Sequence, residues 1–88
     1  MPRPAKLDQQ RAELLPILAA AFGELGYRRM TTAELARRCG VRENILYRHW
    51  SDKVAMFVAA LDYVHELAVE TWRRVLGDAP ERDRADRL

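Results

Sequence analysis

No disulfide can close within this chain, because it holds a single cysteine, Cys39, and with only two histidines it offers no Cys/His cluster of the kind that binds zinc. Catalytic chemistry is equally short of material. His65 has no neighbour to form an acid–base or nucleophile–base pair, so no catalytic residue, cofactor or metal ligand is assigned and the chain reads as a non-enzyme. No stretch approaches the roughly 18 uninterrupted apolar residues of a membrane-crossing helix, and the basic start MPRPAK lacks the apolar segment of a signal peptide. These absences point to a cytoplasmic protein without a membrane partner. Cys39 reads as a small buried hydrophobe and His65 as an exposed side chain.

What is present is helical pattern and unevenly placed charge. The 88 residues suffice for one small domain of three or four helices around a modest core. Net charge is only +2, yet residues 1–54 carry ten Lys/Arg against six Asp/Glu, whereas residues 55–88 carry five against seven. The basic half holds Arg28, Arg29, Arg37, Arg38, Arg42, Arg48 and Lys53, the residue types that contact nucleic-acid phosphates. The expected organisation is all-α: a three-helix bundle with a homeodomain-like helix-turn-helix, followed by a long fourth helix. Residues 1–7 read as a disordered basic arm, 8–50 as the helix-turn-helix domain, 51–77 as the fourth helix and 78–88 as a charged tail. In the first helix Leu14, Leu15, Leu18, Ala21, Phe22 and Leu25 follow helical spacing up to Gly26. Pro16 interrupts that pattern, so the helix either kinks there or starts later than Asp8. Tyr27 and Met30 then read as core residues.

The most informative segment is TTAELARRCGVRENILYRHWSDK, Thr31 to Lys53. Thr31 or Thr32 can cap a short helix carrying Leu35, Ala36 and Cys39 on one face, with Glu34 at capping-box spacing from Thr31. Gly40 can take the left-handed conformation that ends this helix, and Val41 can fold back onto its apolar face. Leu46 and Trp50 lie four apart on the next helix and face inward, which turns Glu43, Asn44, Tyr47 and Arg48 outward. Ala36 is small where the two helices must approach closely. Ala36, Gly40, Val41, Leu46 and Trp50 are therefore the motif's core, and Ser51 is the expected cap of the fourth helix.

Over roughly residues 8–60 this register resembles the DNA-binding domain of the tetracycline-repressor-like (TetR) family of bacterial transcription regulators. Thr31, Thr32, Ala36, Gly40, Val41, Leu46, Tyr47, His49, Trp50 and Lys53 match its pattern one by one, and Phe22, Gly26 and Tyr27 match the end of its first helix. The resemblance implies double-stranded DNA as partner, a homodimer on a palindromic operator, repression of transcription, and association with the bacterial nucleoid. It further implies that the fourth helix leads to a larger dimerising and effector-binding domain lacking in this chain, so a small-molecule effector is not expected to bind here. Tyr47, His49 and Lys53 match positions that in the family contact phosphates.

A helix in the major groove reads bases from its outward face and holds phosphates at its flanks. On that logic Asn44 can pair with adenine, Arg48 with guanine, and Ile45, if exposed, can touch a thymine methyl. Thr32 and Arg42 join Tyr47, His49 and Lys53 as phosphate candidates, although the His49 ring could instead pack beside Trp50. Arg42 stands where many family members place a cap, and Trp50 replaces the usual phenylalanine. Glu43 is the sharper departure: repelled by phosphates, it can accept from a cytosine amino group or hold Arg42 or Arg48 in place.

The fourth-helix stripe runs through Val54, Phe57, Val58, Leu61, Val64, Ala68, Trp72 and Val75 to Gly77. It is longer than three short helices can cover, so Phe57, Leu61, Val64, Ala68 and Trp72 are expected to be partly exposed, with Phe57, Tyr63 and Trp72 read as core or interface. This feature, with Glu43 and the lacking effector domain, keeps open an alternative: a protein-interaction or dimerisation module that kept the fold without specific DNA binding.

Overall fold

The computed structural model describes residues 6–77, which form α1 (Lys6–Leu25), α2 (Thr32–Cys39), α3 (Glu43–His49) and α4 (Lys53–Leu76). The fold is all-α, with α1 packed on both α2 and α4 and α3 resting on α2. Most of the expected basic arm and the whole charged tail lie outside the described residues, but Lys6 and Leu7 already belong to α1. That helix begins ten residues before Pro16, so the later start is excluded. Pro16 and Ala12 are both exposed, and the Ala12 carbonyl that loses its amide donor lies on the solvent side of the helix rather than against the core.

The core is built from Leu14, Leu18, Ala21 and Phe22 of α1, Met30, Leu35 and Ala36 around α2, Leu46 and Trp50 around α3, and Met56 and Ala60 of α4. Leu18, Met30, Leu35, Leu46 and Met56 are fully buried, each contributing about 1.5–3 kcal/mol of apolar transfer. Cys39 is half-buried against this core, where desolvation pushes its thiol pKa up.

The turn forms as its residues dictate. Thr31 Oγ1 accepts the Glu34 amide at 3.0 Å, capping α2. Gly40, at φ +71°, closes the helix: its N–H donates to the Arg37 carbonyl and the Val41 N–H to the Ala36 carbonyl. Arg42 caps α3 with no side-chain hydrogen bond, as its long cationic side chain implies.

Two expectations for α4 are corrected. Asp52, not Ser51, is its cap, accepting the Ala55 amide at 2.8 Å, because the first helical residue is Lys53 and the carboxylate stands three residues before Ala55. The inward face is Met56 and Ala60, with Ala55, Phe57 and Ala59 partly buried, whereas Val54, Val58, Leu61 and Val64 are exposed. Residues 54–61 are apolar on every side of the helix, so periodicity alone could not choose the packed face. Further along, Trp72 and Val75 stand free of the core at 63% and 71% exposure, as the stripe's length implied. None of the described helices is long and apolar enough to cross a membrane.

Candidate nucleic-acid interface

The inward positions Leu46 and Trp50 fix the rotation of α3. With them buried, Glu43, Asn44, Tyr47 and Arg48 are exposed together, and Ile45 is half-buried at the edge of that face. Arg42 is exposed just before the helix, while Thr32, at the start of α2, lies beside the α3 face. Glu43, Asn44, Tyr47, Arg48 and Thr32 thus share one surface.

Three of these residues are linked directly. Thr32 Oγ1 donates to Glu43 Oε2 at 2.9 Å, and Tyr47 OH donates to Thr32 Oγ1 over a longer 3.4 Å. Glu43 is paired with Thr32 rather than with the expected Arg42 or Arg48. An 11-residue separation across a turn carries no local signal for that pair.

The other phosphate candidates are held by aromatic and polar neighbours. Lys53 Nζ sits 4.2 Å above the Tyr27 ring, itself packed edge-on against Phe57 at 5.0 Å and stacked with Phe22 at 6.2 Å. Of the two roles considered for His49, the geometry shows the packing, with the ring 5.5 Å from Trp50, while Nε2 bonds Gln10 Oε1 at 2.8 Å. Burial, then the charges of Arg11 and Arg48, hold its pKa below the ordinary histidine value, with Asp8 acting the other way. Gln10 was missed in the sequence, where 39 residues separate it from His49. Arg11, also on α1, lies over the Trp50 ring at 5.7 Å.

Two of the seven cations expected to supply phosphate contacts are committed elsewhere. Arg37 binds Glu34 through two hydrogen bonds, and Arg38 bridges Glu34 to Glu24 of α1 at 2.6–2.8 Å. The Arg37 and Arg38 hydrogen bonds lower the Glu34 pKa to about 2, and the Arg38 bond lowers that of Glu24. This network locks α2 to α1 and neutralises charge there. Arg42 and Arg48 remain exposed at α3, with no ion pair among the described residues. Among the described residues no group of three or more His, Cys, Asp or Glu side chains is placed to hold a metal.

The family model for bacterial regulatory proteins of the tetR family matches residues 17–60, which span α2, α3 and their turn. The nucleoid occlusion factor SlmA of Vibrio campbellii is 35% identical over 85 residues, covering 96% of this chain and 42% of that protein. SlmA of Photobacterium profundum is 36% identical over 84 residues and that of Vibrio cholerae 34% over 84, each covering 94% of this chain and 42% of the relative. The chain therefore spans less than half the length of these relatives. No solved structure matches it.

Proposed function

Because this chain belongs to the tetR family of bacterial regulatory proteins, we propose that it is the DNA-binding part of a repressor that acts as a two-fold dimer on a palindromic operator. α3 lies in the major groove, where Asn44 pairs with adenine, Arg48 with guanine, and Ile45 touches a thymine methyl from the edge of the face. Arg42, Tyr47, Lys53, His49 and Thr32 hold the flanking phosphates. The observation that carries this reading is the rotation of α3: burying Leu46 and Trp50 presents Glu43, Asn44 and Arg48 together to solvent on a seven-residue helix. The site of action is the nucleoid of the bacterial cytoplasm.

Selection of random duplex DNA by the purified protein tests the reading. It predicts enrichment of an inverted repeat whose half-sites are about 34 Å apart, one helical turn. Recovery of unenriched sequence would refute specific recognition. The relatives' name supports a second reading, in which the DNA-bound chain serves nucleoid occlusion rather than transcription. The same selection serves both, and transcription from a promoter bearing the selected site separates them.

A further inference from the structure

Glu43 puts a carboxylate on the face that the proposed reading turns toward a polyanion, and among the described residues no Lys or Arg forms an ion pair with it. Its partner is a hydroxyl. Thr32 Oγ1 has one proton, which it gives to Glu43 Oε2 at 2.9 Å, and Tyr47 OH points at the same Thr32 oxygen. A hydroxyl with a single proton serves one acceptor at a time, either Glu43 or a backbone phosphate. In the free protein the carboxylate fills the acceptor place that a phosphate would take, and Tyr47 is drawn into the same arrangement.

Resting on the DNA-binding reading, we infer that Glu43 is a specificity-determining latch: it withholds the Thr32 and Tyr47 hydroxyls from phosphate until a cytosine amino group faces the start of α3. An ionised carboxylate only accepts hydrogen bonds, and in the major groove the base-edge donors are the cytosine N4 and adenine N6 amino groups. Adenine places the N7 acceptor beside its amino group, which opposes a carboxylate; cytosine presents its amino group without one. Over cytosine the carboxylate exchanges one donor for another and frees Thr32. Over any other base it keeps Thr32 and remains an unpaired anion between phosphates. Glu43 thereby acts mainly by weakening non-cognate complexes, the repulsive half of specificity.

The test combines Glu43→Ala and Thr32→Val, singly and together, with folding of each variant checked by circular dichroism. The wild type should select cytosine at one position per half-site, and Glu43→Ala should lose that preference while binding an unselected duplex several-fold more tightly. On the unselected duplex, Thr32→Val should weaken Glu43→Ala by about fivefold, the effect of one net hydrogen bond, and weaken the wild type clearly less. Equal effects of Thr32→Val in both backgrounds would overturn the latch, and a cytosine preference surviving Glu43→Ala would overturn the base assignment. If the wild type selects a site and these outcomes fail, only this inference falls. If neither wild type nor variants bind any duplex, the DNA-binding reading falls with it.

Discussion

Trp50→Phe should be close to neutral, although it truncates a core side chain that is only 4% exposed. Two opposing effects meet at this residue. Phenylalanine leaves at most about 40 Å³ unfilled, which at ~24 cal/mol per Å³ costs about 1 kcal/mol. Weakening the contact with Arg11, 5.7 Å above the ring, adds about 0.5 kcal/mol. Against this, the Trp50 Nε1 is buried with no hydrogen-bond partner among the described residues, and removing such a donor returns about 1–3 kcal/mol. The net change should lie between a loss of about 0.5 and a gain of about 1.5 kcal/mol. Trp50→Ala, which empties the site, should instead cost about 3–5 kcal/mol. Urea unfolding followed by circular dichroism measures both. A loss above about 2 kcal/mol in Trp50→Phe would mean that the indole N–H is satisfied in the folded protein after all.

Lys53→Ala should weaken binding to all duplexes alike and lower the salt slope by about one unit, since a phosphate contact carries no base information; a changed operator preference in a selection experiment would remove Lys53 from the backbone contacts. Asn44→Ala and Arg48→Ala should each relax discrimination at a single base pair by about 1–3 kcal/mol, read by titrating single-substitution operators; an unchanged base profile takes them off the reading face. His49 should couple binding to pH. With its pKa held below the ordinary value, the ring is neutral in the free protein at neutral pH, and a phosphate contact would raise that pKa, so affinity should increase as pH falls from about 7.5 toward 6. Stability should move the other way: the unfolded chain binds the proton first, so folding free energy is lost as pH drops from about 6.5 to the lowered folded-state pKa. DNA titrations across this window that show no pH dependence would leave His49 as Gln10's partner only.

The turn between α2 and α3 was legible because each of its features is local. Thr31 caps an amide three residues on, Gly40 ends the helix at positive φ, and Leu46 with Trp50 sets the rotation of α3. What the sequence hid is long-range or degenerate. Gln10 meets His49 across 39 residues, Thr32 meets Glu43 across a turn, and Arg38 abandons the nucleic-acid side for Glu24 across 14. None of these contacts leaves a periodic trace. In α4 the all-round apolar run made the packed face ambiguous, and the small Ala60 rather than the larger Val58 or Leu61 turned inward against α1. At the start of the same helix, Ser51 and Asp52 are both competent caps, and a one-residue difference in register decided for Asp52.

Binding of DNA by the α3 face through phosphates as well as bases should show in affinity against salt concentration. If Arg42 and Lys53 of each protomer in the proposed dimer each neutralise one phosphate, log affinity should fall against log salt with a slope of about −3.6 or steeper. A slope near zero, with association unaffected by duplex DNA, would make the chain an apolar interaction module instead of a DNA-binding one.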